Sequence, residues 1–392
     1  MTYSFDEMKS GKKRLYKTLW DVDEFKSEDF ITKTSWTGRE SDDSFFIKAP
    51  ITEFFMSKLA SAIAADLINA FDIKEDKRNL FTKKTEQACS GSGEEALKIT
   101  TMHSSSLCSL LCFYGVSEEN EEDEEKNKLV LELGNGENKS KYEFTESYFE
   151  FQNEVIAGRQ PSNMDVVLIG HLQNQENKNV VLFLESKFSE YLSASSSLEI
   201  SMSYRKNEYG KIIYDRLEKT GNYDVSVPKN KDGKEDEEAK NFKLVVKNEA
   251  AVGGGKKTPK KTVYLEGIKQ MISHYIGIRN LLDGKPVKRR NCVCHDKVVD
   301  LVKNGATVLL GTILFEDSYQ GSKCFTKYKE SYEELVKELN KVTEDSVADT
   351  AECKKSFTVL EEPLTYAGVF TTSPDNKFEL DEKVKKYYFR ES

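Results

Sequence analysis

Long apolar runs, patterned cysteines and an excess of positive charge are all missing from this sequence. No stretch approaches the roughly 20 apolar residues that a membrane-spanning helix needs, so we expect no membrane partner. Residues 1–17 lack the apolar centre of a secretory signal. The seven cysteines are odd in number and scattered, which does not fit a disulfide framework. These absences predict a reducing, cytoplasmic setting.

The chain is acidic overall, but its charge is unevenly distributed. A formal net charge of −9 argues against unspecific binding to polyanions. Acidic residues concentrate at 118–125 and 234–240, whereas basic residues concentrate at 256–261 and 285–290. Because a net acidic protein can still carry a locally basic groove, the total charge does not exclude a nucleic-acid partner.

Strand and helix patterns alternate along the 392 residues. Between 128 and 188, four apolar segments separated by turn signals predict strands, and 306–316 predicts another buried strand. Helical periodicity marks three segments, with apolar positions at Phe55, Leu59, Ile63, Leu67 and Phe71, at Leu107, Leu110, Leu111 and Tyr114, and at Leu265, Ile268, Ile272, Tyr275 and Ile276. This mixture predicts an α/β (α+β) fold around one sheet.

The end of one predicted strand carries an unusual pair of charges. In VVLFLESKF, residues 180–188, alternation puts Glu185 and Lys187 on one face and Ser186 on the other. Asp165 opens the preceding strand, and a hairpin would bring it beside Glu185. Two carboxylates and an ammonium suit Mg²⁺-dependent phosphodiester hydrolysis. The alternative is an ordinary surface ion pair, worth about 0–1 kcal/mol.

Asp165 and the run Glu185-Ser186-Lys187 resemble the signature of the PD-(D/E)xK, or restriction-endonuclease-like, superfamily. The proline that usually precedes the first aspartate is displaced, since Pro161 lies four residues ahead. Other segments resemble a bacterial branch of that superfamily; these are GSGEEALKITTMHSSSLCSLLCF (91–113), ESKFSEYL (185–192), EGIKQMISHYIGI (266–278) and PLTYAGVF (363–370). The resemblance implies a nuclease core of a mixed central sheet flanked by helices.

The resemblance also implies an organisation for the whole chain. The nuclease core would span residues 89–370, with a flexible insertion at about 228–261 that is charged and rich in glycine. Residues 1–88 would form an N-terminal helical extension of unknown role, and 371–392 a C-terminal tail. The implied protein is a cytoplasmic DNA endonuclease of restriction or defence type.

Roles for individual residues follow from the same resemblance. Asp165, Glu185 and Glu95 would bind Mg²⁺, with Mn²⁺ as a substitute, and Glu94 is an alternative to Glu95. Lys187 would orient or activate the attacking water. Gln270 would contact the substrate backbone or Lys187.

Further candidates would contact the substrate. Ser104 and Ser105 at a helix start could donate to a phosphate, or simply cap the helix. The basic residues Lys288, Arg289 and Arg290 are candidates for contacts to double-stranded DNA.

Two residues are weaker candidates on sequence grounds. His274 lies four residues after Gln270, but nothing in the sequence connects it to an acid or base, so we expect a packed or surface histidine. Glu150 reaches the same sheet edge only in one strand register.

The alternative functions are a silent nucleic-acid-binding module of this fold and a nuclease for RNA or structured DNA. In each case the sequence also allows a homodimer.

Overall fold

A computed structural model of the chain describes most residues from 60 onward. The described ranges are 60–89, 99, 104–117, 127–157, 159, 161–188, 190, 194–236, 238–247, 262–285, 294–315, 323–347, 357–371 and 378–389, together with the backbone of 30–32 and 45–47.

A seven-stranded mixed sheet forms the centre of the fold, which confirms the predicted α/β class. Its strands lie in the order β11-β10-β6-β5-β4-β3, with β12 pairing β10 as well. Strands β3 to β6 are antiparallel neighbours, whereas β10 runs parallel to β6. The strands are β3 Leu129–Asn135, β4 Asn138–Asn153, β5 Ser162–Leu172, β6 Gln175–Lys187, β10 Thr307–Leu314, β11 Phe357–Val359 and β12 Leu364–Thr365.

Strand β6 is apolar on both faces because both faces are covered. Val180, Leu182 and Leu184 belong to one hydrophobic cluster, and Val181 and Phe183 belong to the other. A strand buried on both sides has no solvent face to carry polar residues, which explains the continuous run VVLFL.

Helices cover the two faces of this sheet. On the face of Leu182, residues contribute to one cluster from α1 Ala60–Phe71, α2 Arg78–Ala88, α3 Ser105–Phe113, α9 Tyr366–Phe370 and α10 Glu382–Tyr388. On the face of Phe183, four helices contribute residues to the other cluster. They are α5 Glu208–Lys219, α6 Leu265–Leu282, α7 His295–Lys303 and α8 Lys323–Val347. No helix within the described ranges is long and apolar enough to cross a bilayer.

Part of the predicted N-terminal extension packs on the core. Ile63, Leu67 and Phe71 of α1 are fully buried in the same cluster as α3, as their helical spacing predicts. Phe55 and Leu59 lie outside the described residues. Backbone strands β1 Phe30–Thr32 and β2 Phe45–Ile47 pair antiparallel.

A second, three-stranded sheet has the order β7-β9-β8, and a short helix α4 Met202–Lys206 follows β7. The strands are β7 Ser197–Ser201, β8 Tyr223–Ser226 and β9 Asn241–Val246. Strand β9 lies inside the segment predicted as a flexible insertion, so that prediction needs correction at residues 241–246. Phe242, Leu244 and Val246 alternate with more exposed neighbours, a period-2 signal that the surrounding charges obscured.

Candidate active site

Three acidic residues occupy corresponding positions on three neighbouring strands. Strands β5 and β6 pair Val166 with Leu184, which puts Asp165 opposite Glu185, as the predicted hairpin requires. Strand β4 pairs Phe149 and Phe151 with residues on either side of Asp165, so Glu150 lies at the level of Asp165. The sheet therefore brings together Glu150, Asp165 and Glu185 from separate parts of the sequence.

Glu185 has a basic partner on each carboxylate oxygen. The ammonium of Lys187 lies 2.5 Å from Oε1, and Nε2 of His274 on α6 lies 2.7 Å from Oε2. Glu185 and Lys187 are each 3% exposed and His274 is 1% exposed. This burial rules out the surface ion pair that the sequence left as an alternative.

The ion pair determines the charge of both partners. Burial opposes ionisation of Glu185, but Lys187 and His274 outweigh it and lower the pKa of Glu185 to about 2. Burial also favours the neutral form of Lys187, yet the carboxylate of Glu185 holds the pKa of that ammonium well above its usual range. At neutral pH, Lys187 is therefore a charged hydrogen-bond donor and Glu185 is a carboxylate.

Asp165 behaves in the opposite way. Its Oδ2 accepts a hydrogen bond of 2.7 Å from the backbone N–H of Ser186. Burial and then the nearby charge of Glu185 raise the pKa of Asp165 well above its usual range, and Glu150 adds to this. Lys187 and the Ser186 N–H act against the rise without cancelling it. The site thus holds carboxylates whose mutual repulsion a bound cation would relieve.

Glu150 adopts a rare backbone conformation at this place. Its φ is +54°, a region that costs a non-glycine residue about 1–3 kcal/mol, and its side chain is 4% exposed. Strain of this kind persists only where the surrounding structure enforces it, and it is concentrated at functional sites. Glu150, a weak candidate from sequence, thus lies at the level of Asp165 and contributes to the raised pKa of that carboxyl.

The donor set fits Mg²⁺ in type and in number of carboxylates. Mg²⁺ prefers oxygen ligands and is often held by one or two carboxylates, with water and substrate phosphate completing the octahedron. Asp165 and Glu185 are two such groups. Within the described ranges, no cluster of three or more His, Cys, Asp or Glu side chains is arranged as a metal site. Glu94 and Glu95 lie outside those ranges.

His274 contacts Glu185, a partner that the sequence does not indicate. It is a packed histidine, as expected, but its Nδ1 lies 2.9 Å from the hydroxyl of Ser162 while its Nε2 contacts Glu185. The sequence signal is the spacing of Gln270 and His274, which lie four residues apart and therefore on one side of the helix. The side-chain oxygen of Gln270 is buried and accepts no hydrogen bond from the residues that the structure describes.

On the opposite face, Ser186 anchors strand β6. Its hydroxyl lies 2.7 Å from the Tyr366 hydroxyl, which lies 3.0 Å from that of Ser109. Ser186 also donates to the Ser105 carbonyl at 3.3 Å. All three hydroxyl-bearing residues, Ser186, Tyr366 and Ser109, are fully buried. The network fixes the residue that separates Glu185 from Lys187.

The predicted substrate contacts have structural roles or lie outside the described residues. Ser104 is the N-cap of α3, and its hydroxyl accepts from the Leu107 N–H at 3.1 Å. Ser105 contributes its backbone carbonyl, which accepts from Ser109 and Ser186. The structure does not describe Lys288, Arg289 and Arg290.

Comparison with known proteins adds no relative. No family model matches the chain, and no curated protein or solved structure matches it.

Proposed function

We propose that this protein is a Mg²⁺-dependent nuclease that hydrolyses phosphodiester bonds, with DNA as its substrate and a restriction or defence role. The observation that carries the proposal is the arrangement of Asp165 opposite Glu185, with the Lys187 ammonium 2.5 Å from Glu185. The resemblance to the PD-(D/E)xK superfamily supports it, because that superfamily uses these three residue types in this order.

Asp165 and Glu185 would hold the cation at the end of two rigid strands. Bound there, Mg²⁺ would polarise a phosphoryl oxygen and lower the pKa of a coordinated water. Glu185 stays ionised because Lys187 and His274 stabilise its carboxylate. The Ser186 N–H orients Asp165 through Oδ2, which leaves Oδ1 available as a ligand.

Lys187 acts through its positive charge. Because the pKa of its ammonium is raised, it remains protonated at neutral pH and does not serve as a general base in this state. A fixed ammonium can donate to the attacking water and stabilise the negative charge that develops on the phosphorane oxygens. His274 holds Glu185 from the other side and is a positioning residue.

The second candidate is a silent nucleic-acid-binding module of the same fold. Two observations favour it: both carboxylate oxygens of Glu185 already have partners, and the described side chains include no three-ligand metal cluster. A nuclease acting on RNA or structured DNA is a variant of the first candidate. Activity and metal binding must therefore be measured separately.

The deciding experiment is cleavage of supercoiled plasmid with Mg²⁺ and with EDTA, using wild type, Lys187→Ala and Glu185→Gln. Lys178→Ala is the matched control, since Lys178 is an exposed lysine at the other end of β6. We expect Mg²⁺-dependent cleavage that falls at least about 100-fold in both site variants and is unchanged in the control.

Metal binding gives a second readout. Calorimetric titration of Mg²⁺ into wild type should show binding that Asp165→Asn and Glu185→Gln weaken. If wild type cuts neither plasmid, single-stranded DNA nor RNA, the nuclease proposal fails. Retained nucleic-acid binding would then favour the silent module.

A further inference from the structure

A groove whose lining includes Tyr204, a hydrogen-bond partner of Ser273, has features of a nucleotide subsite. It encloses about 410 Å³ and is lined by Val155, Ile156, Arg159, Ser201, Ser203 and Tyr204. These residues come from the β4–β5 connection and from the junction of β7 with α4. The volume lies within the roughly 300–1,000 Å³ of small-molecule sites.

Each wall of the groove is connected to a residue next to His274 in the chain or in contact with it. The Tyr204 hydroxyl accepts from Ser273, the neighbour of His274, at 3.1 Å. On the other wall, Arg159 precedes Ser162 by three residues, and Ser162 contacts His274. Three residues span at most about 11 Å, so Arg159 lies within that reach of Ser162.

The polar lining suits a phosphate. Arg159 is exposed and forms no ion pair with the residues that the structure describes. The hydroxyls of Ser201 and Ser203 lie 2.8 Å apart, so one donates to the other and the second O–H remains for another acceptor. An arginine fork and a hydroxyl are common partners of phosphate oxygens.

The remaining lining suits a base. Val155 is buried, whereas Ile156 and Tyr204 are partly exposed and line the same groove as Arg159. An apolar floor with an aromatic ring accepts the face of any nucleobase, because every base has a π-face. The groove therefore combines the two contacts that single-strand binding uses.

We propose that this groove binds one nucleotide of the substrate strand close to the scissile phosphate. Its phosphate would contact Arg159 and the Ser201–Ser203 pair, and its base would pack on Ile156 and Tyr204. The inference rests on the proposed nuclease function for its ligand, but binding can be tested without cleavage.

The test measures binding of fluorescent single-stranded and duplex DNA 20-mers to the full chain in EDTA, as a function of salt. Arg159→Gln is compared with Lys178→Gln, which removes one exposed charge at the other end of β5 and β6. We expect Arg159→Gln alone to weaken binding and to reduce the salt slope by about 0.7–0.9. Equal affinities and equal salt slopes of the two variants would overturn the proposed nucleotide site.

Tyr204 tests the base contact. Tyr204→Phe should retain affinity, whereas Tyr204→Ala should lose roughly fivefold or more, with thermal melting confirming that each variant folds. A wild type that binds neither DNA nor RNA overturns the groove. A wild type that binds through Arg159 but does not cut supports the groove and refutes hydrolysis, so the two failures are distinguishable.

Discussion

His274 lies 2.7 Å from the carboxylate of Glu185, although 89 residues separate the two in the chain. The other ring nitrogen of His274 lies 2.9 Å from the Ser162 hydroxyl at the start of β5. The imidazole thus connects helix α6 with strands β5 and β6, which carry Asp165 and Glu185. Its position determines where one oxygen of Glu185 points.

Replacing His274 should impair activity, although His274 lies outside the motif formed by Asp165, Glu185 and Lys187. His274→Ala removes one partner of a buried carboxylate, and loss of such an orienting contact typically costs 10–100-fold in metal affinity or activity. Leaving the carboxylate oxygen unpaired should also cost about 1–3 kcal/mol in the free energy of unfolding. Steady-state kinetics and urea unfolding measure the two effects.

Ser162→Ala is the control for His274. It removes the hydrogen bond to Nδ1 but leaves the contact with Glu185, so we expect a smaller loss of activity. Wild-type kinetics in His274→Ala would show that the histidine only packs the core.

Tyr366→Phe should disturb strand β6 from the face opposite Glu185 and Lys187. It deletes the hydroxyl that connects Ser186 with Ser109, and a lost hydrogen bond costs about 0.5–1.5 kcal/mol. We expect a lower kcat at unchanged KM, because Ser186 separates Glu185 from Lys187. Activity assays and urea unfolding test this together.

The matched control is Tyr214→Phe. The Tyr214 hydroxyl is buried and has no hydrogen-bond partner among the residues that the structure describes, so its removal should be neutral or stabilising. Equal destabilisation by the two substitutions would contradict the anchoring role of Tyr366.

Ser104 tests whether the start of α3 is a cap or a phosphate contact. Ser104→Ala should lose about 1 kcal/mol of stability, and Ser104→Asn should restore it, because asparagine is an effective N-cap. We expect all three proteins to bind DNA equally in EDTA. A lower affinity of Ser104→Asn, which keeps the cap but lacks the hydroxyl, would instead make the Ser104 hydroxyl a substrate contact.

Gly267 makes room for two tyrosines near Lys187. A Cβ at this position would lie 2.7 Å from the Tyr264 ring and 2.8 Å from the Tyr328 hydroxyl. Gly267→Ala should therefore destabilise the protein by about 1–3 kcal/mol through overpacking. At an open helical position the same change stabilises by about 1 kcal/mol. Thermal unfolding therefore distinguishes the two cases: a lower melting temperature of Gly267→Ala supports overpacking, and a higher one contradicts it.

Alkaline pH should unfold the protein through its buried tyrosines. Burial raises the pKa of Tyr275 to about 12, above the ordinary value of about 10 for an unfolded chain. The folded state thus binds this proton more tightly, and the stability that Tyr275 contributes is complete below pH 10 and lost as pH rises toward 12. The loss is about 3 kcal/mol at most, at 1.36 kcal/mol per pH unit.

Urea unfolding at several pH values between 9 and 12 measures this loss. Tyr275→Phe removes the titrating group and should make stability less steep in this pH range. Parallel curves for wild type and Tyr275→Phe would show that Tyr275 ionises equally easily in the folded and unfolded states.

Local residue patterns predicted several of the elements that position the site. Alternation and turn residues predicted strands β5 and β6, and their pairing as a hairpin brought Asp165 to Glu185 across a short connection. Helical periodicity predicted α6 and the buried face that includes Ile268 and Ile272. Local patterns suffice here because neighbouring strands with a short turn have few alternative arrangements.

How these elements come together depends on packing between distant segments. His274 reaches Glu185, and Tyr366 reaches Ser186 across 180 residues, only because α6 and α9 pack on opposite faces of the sheet. The strained backbone of Glu150 likewise depends on its neighbours. Burial turns the Glu185–Lys187 pair from a weak surface contact into a fixed charge pair. Such effects arise from packing between distant segments, which no local residue pattern specifies.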